Sequence, residues 1–287
     1  MTFSIVARDP ATGDLGVAVQ SRFLAVGGVV PWARADAGAI ATQAWANLSF
    51  GPDGLALLAG GADARSAGEQ LIAADERAHR RQLGIVDGKG AVFAWTGPSC
   101  IEWAGHEVGD GFACQGNTLA GPGVISAMAE VYRTSPMPFP ERLIAVLAAG
   151  QAEGGDARGE QAAAIYVARE GGSYGGTTDR YIDLRVDDHA QPITELARLL
   201  NLHRLYFEPA SADRLLDVDP ATAREIAWAL HALGQRSIPE AGSISELYAD
   251  LERWAGVENL EGRLVPGERI DPVVLDFLRR RARRMDG

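Results

Sequence analysis

Cysteine is nearly missing from this chain: Cys100 and Cys114 are the only two in 287 residues. One disulfide is conceivable, but two cysteines make no disulfide framework. The expectation is a reducing compartment, with both thiols as small buried residues. Positive charge is also short, with Lys+Arg 27 against Asp+Glu 38 and a formal net charge of -11. A surface of that sign repels phosphate backbones, which argues against nucleic acid as a partner. The one basic run, residues 279–284, ends the last predicted helix, where it favours the helix C-terminus and solubility. No apolar run reaches transmembrane length. The opening MTFSIVARDP lacks the basic start, long apolar core and cleavage site of a signal peptide. A cytoplasmic protein without a membrane partner is expected.

What the chain does have is apolar residues, 47% of the total, and 34 glycines, which suits closely packed layers. Its length allows one large domain and a small appendage. Residues 2–9 and 15–21 are rich in β-branched side chains and flank Pro10-Ala11-Thr12-Gly13, which predicts an antiparallel hairpin. After a loop holding Pro31 and Trp32, further strands are predicted over 38–46, 81–86, 91–95, 111–115, 161–168 and 181–186. Helices are predicted from Gly51 onward and over 63–74, 123–134 and 139–151. Strand blocks separated by paired helices favour an α+β fold of two stacked antiparallel sheets between helix layers, a four-layer αββα sandwich. A seam near 208–212 separates a large domain, 1–208, from a small all-helical one, 212–287, with helices at 221–233, 245–255 and 272–284.

Four places hold residues with chemical capacity. If Met1 is removed, Thr2 presents a hydroxyl beside its own α-amine, which titrates near 8 and can serve as its base; equally, a β-branched residue suits a strand start. Hairpin pairing brings Ser21 and Arg22 close to Thr2, Ser21 as an alternative nucleophile or relay and Arg22 as a carboxylate anchor. A polar strand end is the plain alternative. Between Cys100 and Asn117 lie His106, an acid-base group, and Gln115-Gly116-Asn117, whose amides can form an oxyanion hole or simply satisfy a turn. Asp156 and Arg158, in a glycine-rich loop, can orient Thr2 or form a surface ion pair. Glu102, His106 and Asp110 lack the spacing of a metal site. The loop 171–176 has neither the lysine nor the following helix of a phosphate cradle. No metal or cofactor is expected.

Several motifs carry a resemblance: TFSIVARDPATGDLGVAVQSRFLAVGGVVPWA, ATQAWAN, RQLGIVD, WAGH, QGNTLAG, GGDARGEQAA and DLRVDDH. Together, in this order over about residues 2–205, they resemble the bacterial and archaeal family called domain of unknown function 1028. That resemblance implies an N-terminal-nucleophile (Ntn) hydrolase-like fold. The chain from about Ser211 onward resembles a peptidoglycan-binding-like domain often fused to this family. A looser similarity to proteasome-type β-subunits aligns Thr2, Ser21-Arg22 and Asp156 with their threonine, Ser-Arg and late aspartate. Those subunits have an acidic residue where this chain has Gln20, and their catalytic lysine has no clear counterpart here, which argues against proteasome-like proteolysis.

The leading expectation is a hydrolase of C–N bonds in a small amide or cyclic amide. Thr2, Ser21, Arg22, His106, Asn117 and Asp156 would do its chemistry, and Gln43, Asn47, Gln115, Gly116 and Arg158 would bind substrate. Two alternatives stand beside it: the same fold acting through activated water or as a cyclohydrolase, and a non-catalytic glycan-binding or scaffold protein. A homo-oligomer, a dimer, is expected.

Overall fold

A computed structural model describes residues 2–265 and 268–283. Met1 and Arg284, both invoked above, lie outside the described residues. The hairpin forms as expected: β1 (Thr2–Arg8) pairs antiparallel with β2 (Leu15–Ser21), and Thr2 faces Ser21 across the ladder. Gly13, at φ 81°, closes the turn in a conformation that suits glycine. β3 (Pro31–Arg34) falls where the sequence predicts a loop. It is a short strand beside β4 (Gly38–Ala44), a place where proline at a strand start is tolerated.

Helices α1 (Phe50–Ala59) and α2 (Ala64–Ala73) follow, with Asp63 capping α2 by accepting from the Ser66 N–H. Then come β5 (Arg81–Asp87), β6 (Val92–Thr96), β7 (Gly105–Gly109) and β8 (Phe112–Asn117). β7 has no run of β-branched residues, and its strand state comes from pairing with β8. α3 (Gly123–Thr134), α4 (Phe139–Ala152), β9 (Ala162–Ala168), β10 (Arg180–Val186) and α5 (Pro192–Phe207) complete this part.

Two antiparallel sheets result, ordered β10-β9-β2-β1-β8-β7 and β3-β4-β5-β6. On the larger sheet, Phe3, Ile5, Phe112 and Ile165 face α3 and α4, packing with Met128, Leu143 and Leu147. The opposite face, through Val6, Val17 and Val19, meets Ala39, Ala41 and Val86 of the smaller sheet. That sheet's far face, through Ile40, Leu83 and Ile85, is covered by α1 and α2. Helices, sheet, sheet and helices therefore stack in that order. β1 and β2 are buried on both faces, which explains why neither shows a clean polar alternation.

Contacts divide the chain between Leu200 and Asn201, inside α5, a helix the sequence reading did not mark. The C-terminal unit holds a two-residue ladder of β11 (Leu216–Asp217) and β12 (Arg269–Ile270), with α6 (Pro220–Ala232), α7 (Ile244–Val257) and α8 (Pro272–Arg283). Its core gathers Ile226, Leu230, Leu251, Trp254, Leu275 and Leu278. Ser243 and Glu246 form a capping box at α7. Arginines of the basic run pair across helices: Arg279 grips Glu225 through two 2.7 Å bonds, and Arg281 lies 2.7 Å from Glu258. Among the described residues, no helix is long and apolar enough to cross a membrane.

Candidate active site

Inward-facing positions of the two sheets change character along the strands. At one end they are aliphatic. At the other, beside the start of β1, they are Thr2, Ser4, Ser21, Gln115 and Asn117 from the large sheet and Gln43 and Gln82 from the small one. All seven are buried, so each must find partners within the protein. The side chains answer one another across the gap. Ser4 Oγ donates to Gln43 Oε1 at 2.7 Å and accepts from Gln115 Nε2 at 2.7 Å. Gln43 Nε2 donates to Gln82 Oε1 at 2.8 Å, and Asn117 Nδ2 donates to the same oxygen at 3.0 Å. Gln82 Nε2 lies within reach of Thr96 Oγ1 at 3.0 Å and the carbonyls of Gly105 at 3.1 Å and Gly116 at 2.7 Å. Gly84 makes room for this: a Cβ there would stand 2.4 Å from Gln115 Oε1.

Thr2 stands at the edge of the network. Its Oγ1 is 3.0 Å from Ser21 Oγ, either hydroxyl able to donate, and Asn117 is its ladder partner on the other side. In front of it lies a cleft of about 300 Å³, to which Thr2, Gln43 and Arg81 contribute the polar side chains and residues 26–30 and 44–48 most of the apolar ones. Ala44 turns the chain at the end of β4 with a left-handed backbone, φ 68°, a conformation that costs energy without glycine.

Arg81 is held in place. Its Nε donates to Asp75 Oδ2 at 2.8 Å and its NH1 to the Trp45 carbonyl. This guanidinium, with help from the Arg77 N–H and Asn47, pulls the Asp75 carboxyl down to about 2.

The expected site residues divide into groups. Thr2, Ser21, Gln43, Gln115 and Asn117 share the inter-sheet end. Asp156 is a buried carboxylate that accepts the backbone N–H of Arg22 at 2.9 Å and of Arg158 at 2.9 Å, tying the end of β2 to the loop that carries it. It reaches the site through the chain rather than by touching Thr2. Arg22 sends NH1 to the Arg158 carbonyl at 3.2 Å, and Arg158 reaches back to Asp156 at 3.2 Å; neither arginine lines the cleft. His106 sits on β7, where its Nδ1 meets Thr96 Oγ1 at 2.9 Å. It joins the network through Gln82, and desolvation of the ring holds its pKa below the usual value. Asn47 turns to Asp75 at 3.1 Å. Gly116 lies mid-strand between Phe3 and Gly105, so its N–H runs in the plane of the sheet.

Ser4, Asp75, Arg81, Gln82 and Thr96 were not singled out from sequence. Ser4 and Gln82 had a signal, since each is a polar residue inside an apolar strand, two positions from another polar or small residue. Cys114 is buried, and desolvation raises its thiol pKa far above the ordinary value; both cysteines are free. Among the described residues, no group of three or more metal-ligating side chains gathers.

Residues 2–196 match DUF1028, a family of unknown function, and residues 206–278 match a family described as "Putative peptidoglycan binding domain". Among solved structures, the crystal structure of protein SPO2555 from Silicibacter pomeroyi, also assigned to DUF1028, is similar. Its sequence is 31% identical and its TM-score 0.65, and the match covers 71% of this chain and 86% of that one. No curated protein matches the chain.

Proposed function

The chain belongs to DUF1028, a family of unknown function, and we propose that it is a hydrolase of C–N bonds in small amides, with Thr2 as nucleophile. The observation that carries this reading is the Thr2–Ser21 hydroxyl pair, 3.0 Å apart, at the wall of a cleft between two stacked sheets. That placement, at the first strand of helix-sheet-sheet-helix layers, is what an Ntn-hydrolase type of fold offers to a catalytic first residue.

Removal of Met1 frees the Thr2 α-amine, which takes the hydroxyl proton directly or through Ser21. Oγ1 then adds to the substrate carbonyl. The oxyanion accepts from Asn117 Nδ2, which carries a second hydrogen besides the one given to Gln82. Collapse breaks the C–N bond, the protonated base hands its proton to the leaving nitrogen, and water then hydrolyses the ester to acid and free Thr2. Asp156 positions the end of β2, and with it Ser21, by holding the Arg22 N–H.

Thr2→Ala is expected to abolish turnover of a responsive amide, at least a thousand-fold, while thermal unfolding stays nearly unchanged. Intact-mass measurement supplies the independent arm. A protein that retains Met1 and still turns over amides at the full rate excludes the free-amine mechanism.

A further inference from the structure

Away from the hydroxyl pair, the walls of the Thr2 cleft are apolar. Val26, Val29 and Val30 line it, and Phe23, Trp45 and Leu48 stand there too. The last three are in reach of water: Phe23 is 53%, Trp45 61% and Leu48 47% exposed. Single exposed apolar residues are ordinary on any surface, but three large ones at one concave site are not.

Apart from the α-amine that removal of Met1 would free at Thr2, the lining of the cleft carries no uncommitted charge. Arg81 is its one charged lining residue, and its guanidinium is bound by the Asp75 carboxylate and the Trp45 carbonyl. Gln43, the other polar side chain beside Thr2, spends its oxygen on Ser4 and its nitrogen on Gln82. Beyond the reach of Thr2 and its neighbours, an anionic or strongly hydrogen-bonding group would therefore lose its water here without repayment. A hydrocarbon would lose none that it wants to keep.

We propose that the substrate is an amide with an uncharged, apolar acyl chain. The chain lies between residues 26–30 and 45–48, and the carbonyl carbon sits at Thr2 Oγ1. The bond that breaks rests on the hydrolase reading above; the apolar seat rests on the cleft alone. A volume of about 300 Å³ lies at the small end of ligand sites, so the seat fits a short chain and its preference levels off for long ones.

The test separates binding from turnover. Full-length Thr2→Ala protein is titrated calorimetrically with acetamide, butanamide, hexanamide and octanamide. The dissociation constant is expected to tighten about three- to four-fold per added methylene before it levels off. Val29→Asp, added at a half-buried wall position, should erase that trend. A flat series, no binding, or a trend that survives Val29→Asp overturns the proposal. So does concentration-dependent self-association that Phe23→Ser and Trp45→Ser remove in a protein deaf to acyl chains, because the apolar mouth would then be a contact between copies. Wild-type protein is assayed in parallel on p-nitroanilides of the same acids. Chain-dependent binding without turnover of any of them keeps the apolar seat and refutes the hydrolase reading.

Discussion

Residue-scale chemistry at the cleft depends on a carboxylate that never faces it. Asp75 fixes Arg81, and Arg81 fixes the Trp45 carbonyl at the cleft wall. Because the folded carboxyl is held near 2, below its ordinary 3.8, the pair stabilises the fold fully above pH 3.8. That contribution is lost as pH falls from there toward 2. Asp75→Asn should lower the urea midpoint at neutral pH. The gap between wild type and variant should then close between pH 4 and 2; a gap of constant size across that range would contradict the assignment. Which single residues would meet was partly legible beforehand. Hairpin pairing alone brings Thr2 to Ser21, because a tight turn fixes the register. Asp75 and Arg81 meet across the end of α2 and a short loop, and nothing in local sequence measures that approach.

Between elements, the two sheets are joined at their polar end by side chains rather than by a common strand. Ser4 is the hinge of this arrangement, since β1 reaches both β4 and β8 through one hydroxyl. Ser4→Ala leaves the Gln43 oxygen and the Gln115 amide short of a partner in a buried place. A loss of about 2–3 kcal/mol in unfolding free energy is expected, together with weaker binding in the cleft that Gln43 lines; chemical denaturation and ligand titration read the two effects. Sequence patterns gave the order of strands and paired helices, because each helix announces itself through its starts and apolar period. They did not give β3 and β7, whose extended state follows from a neighbouring strand. They also missed α5, although Pro192 at its first position and Glu195 in its first turn are ordinary signs of a helix start. The glutamines were visible as polar residues inside apolar strands, yet only stacking the sheets puts Gln43, Gln82 and Gln115 in one gap.

At the scale of the whole molecule, the large unit and the C-terminal unit each bury a hydrophobic core of their own. Two transitions are therefore expected in calorimetry. Trp254→Ala empties the largest buried side chain of the small unit, at a cost of about 3–5 kcal/mol, and should melt that unit early while the other transition stays put. One merged transition that shifts as a whole would contradict this. The division by contacts lies inside α5, between Leu200 and Asn201, where helical periodicity runs straight through and leaves no mark in the sequence.

Gly84 sets the headroom of the interior. Its backbone needs no unusual torsion; what matters is the missing methyl under Gln115. Alanine there would push Gln115 upward or the two sheets apart, and either movement would travel along the amide chain to Gln43 at the cleft wall. One hydrogen in place of a carbon thus helps to set how deep a guest can sit.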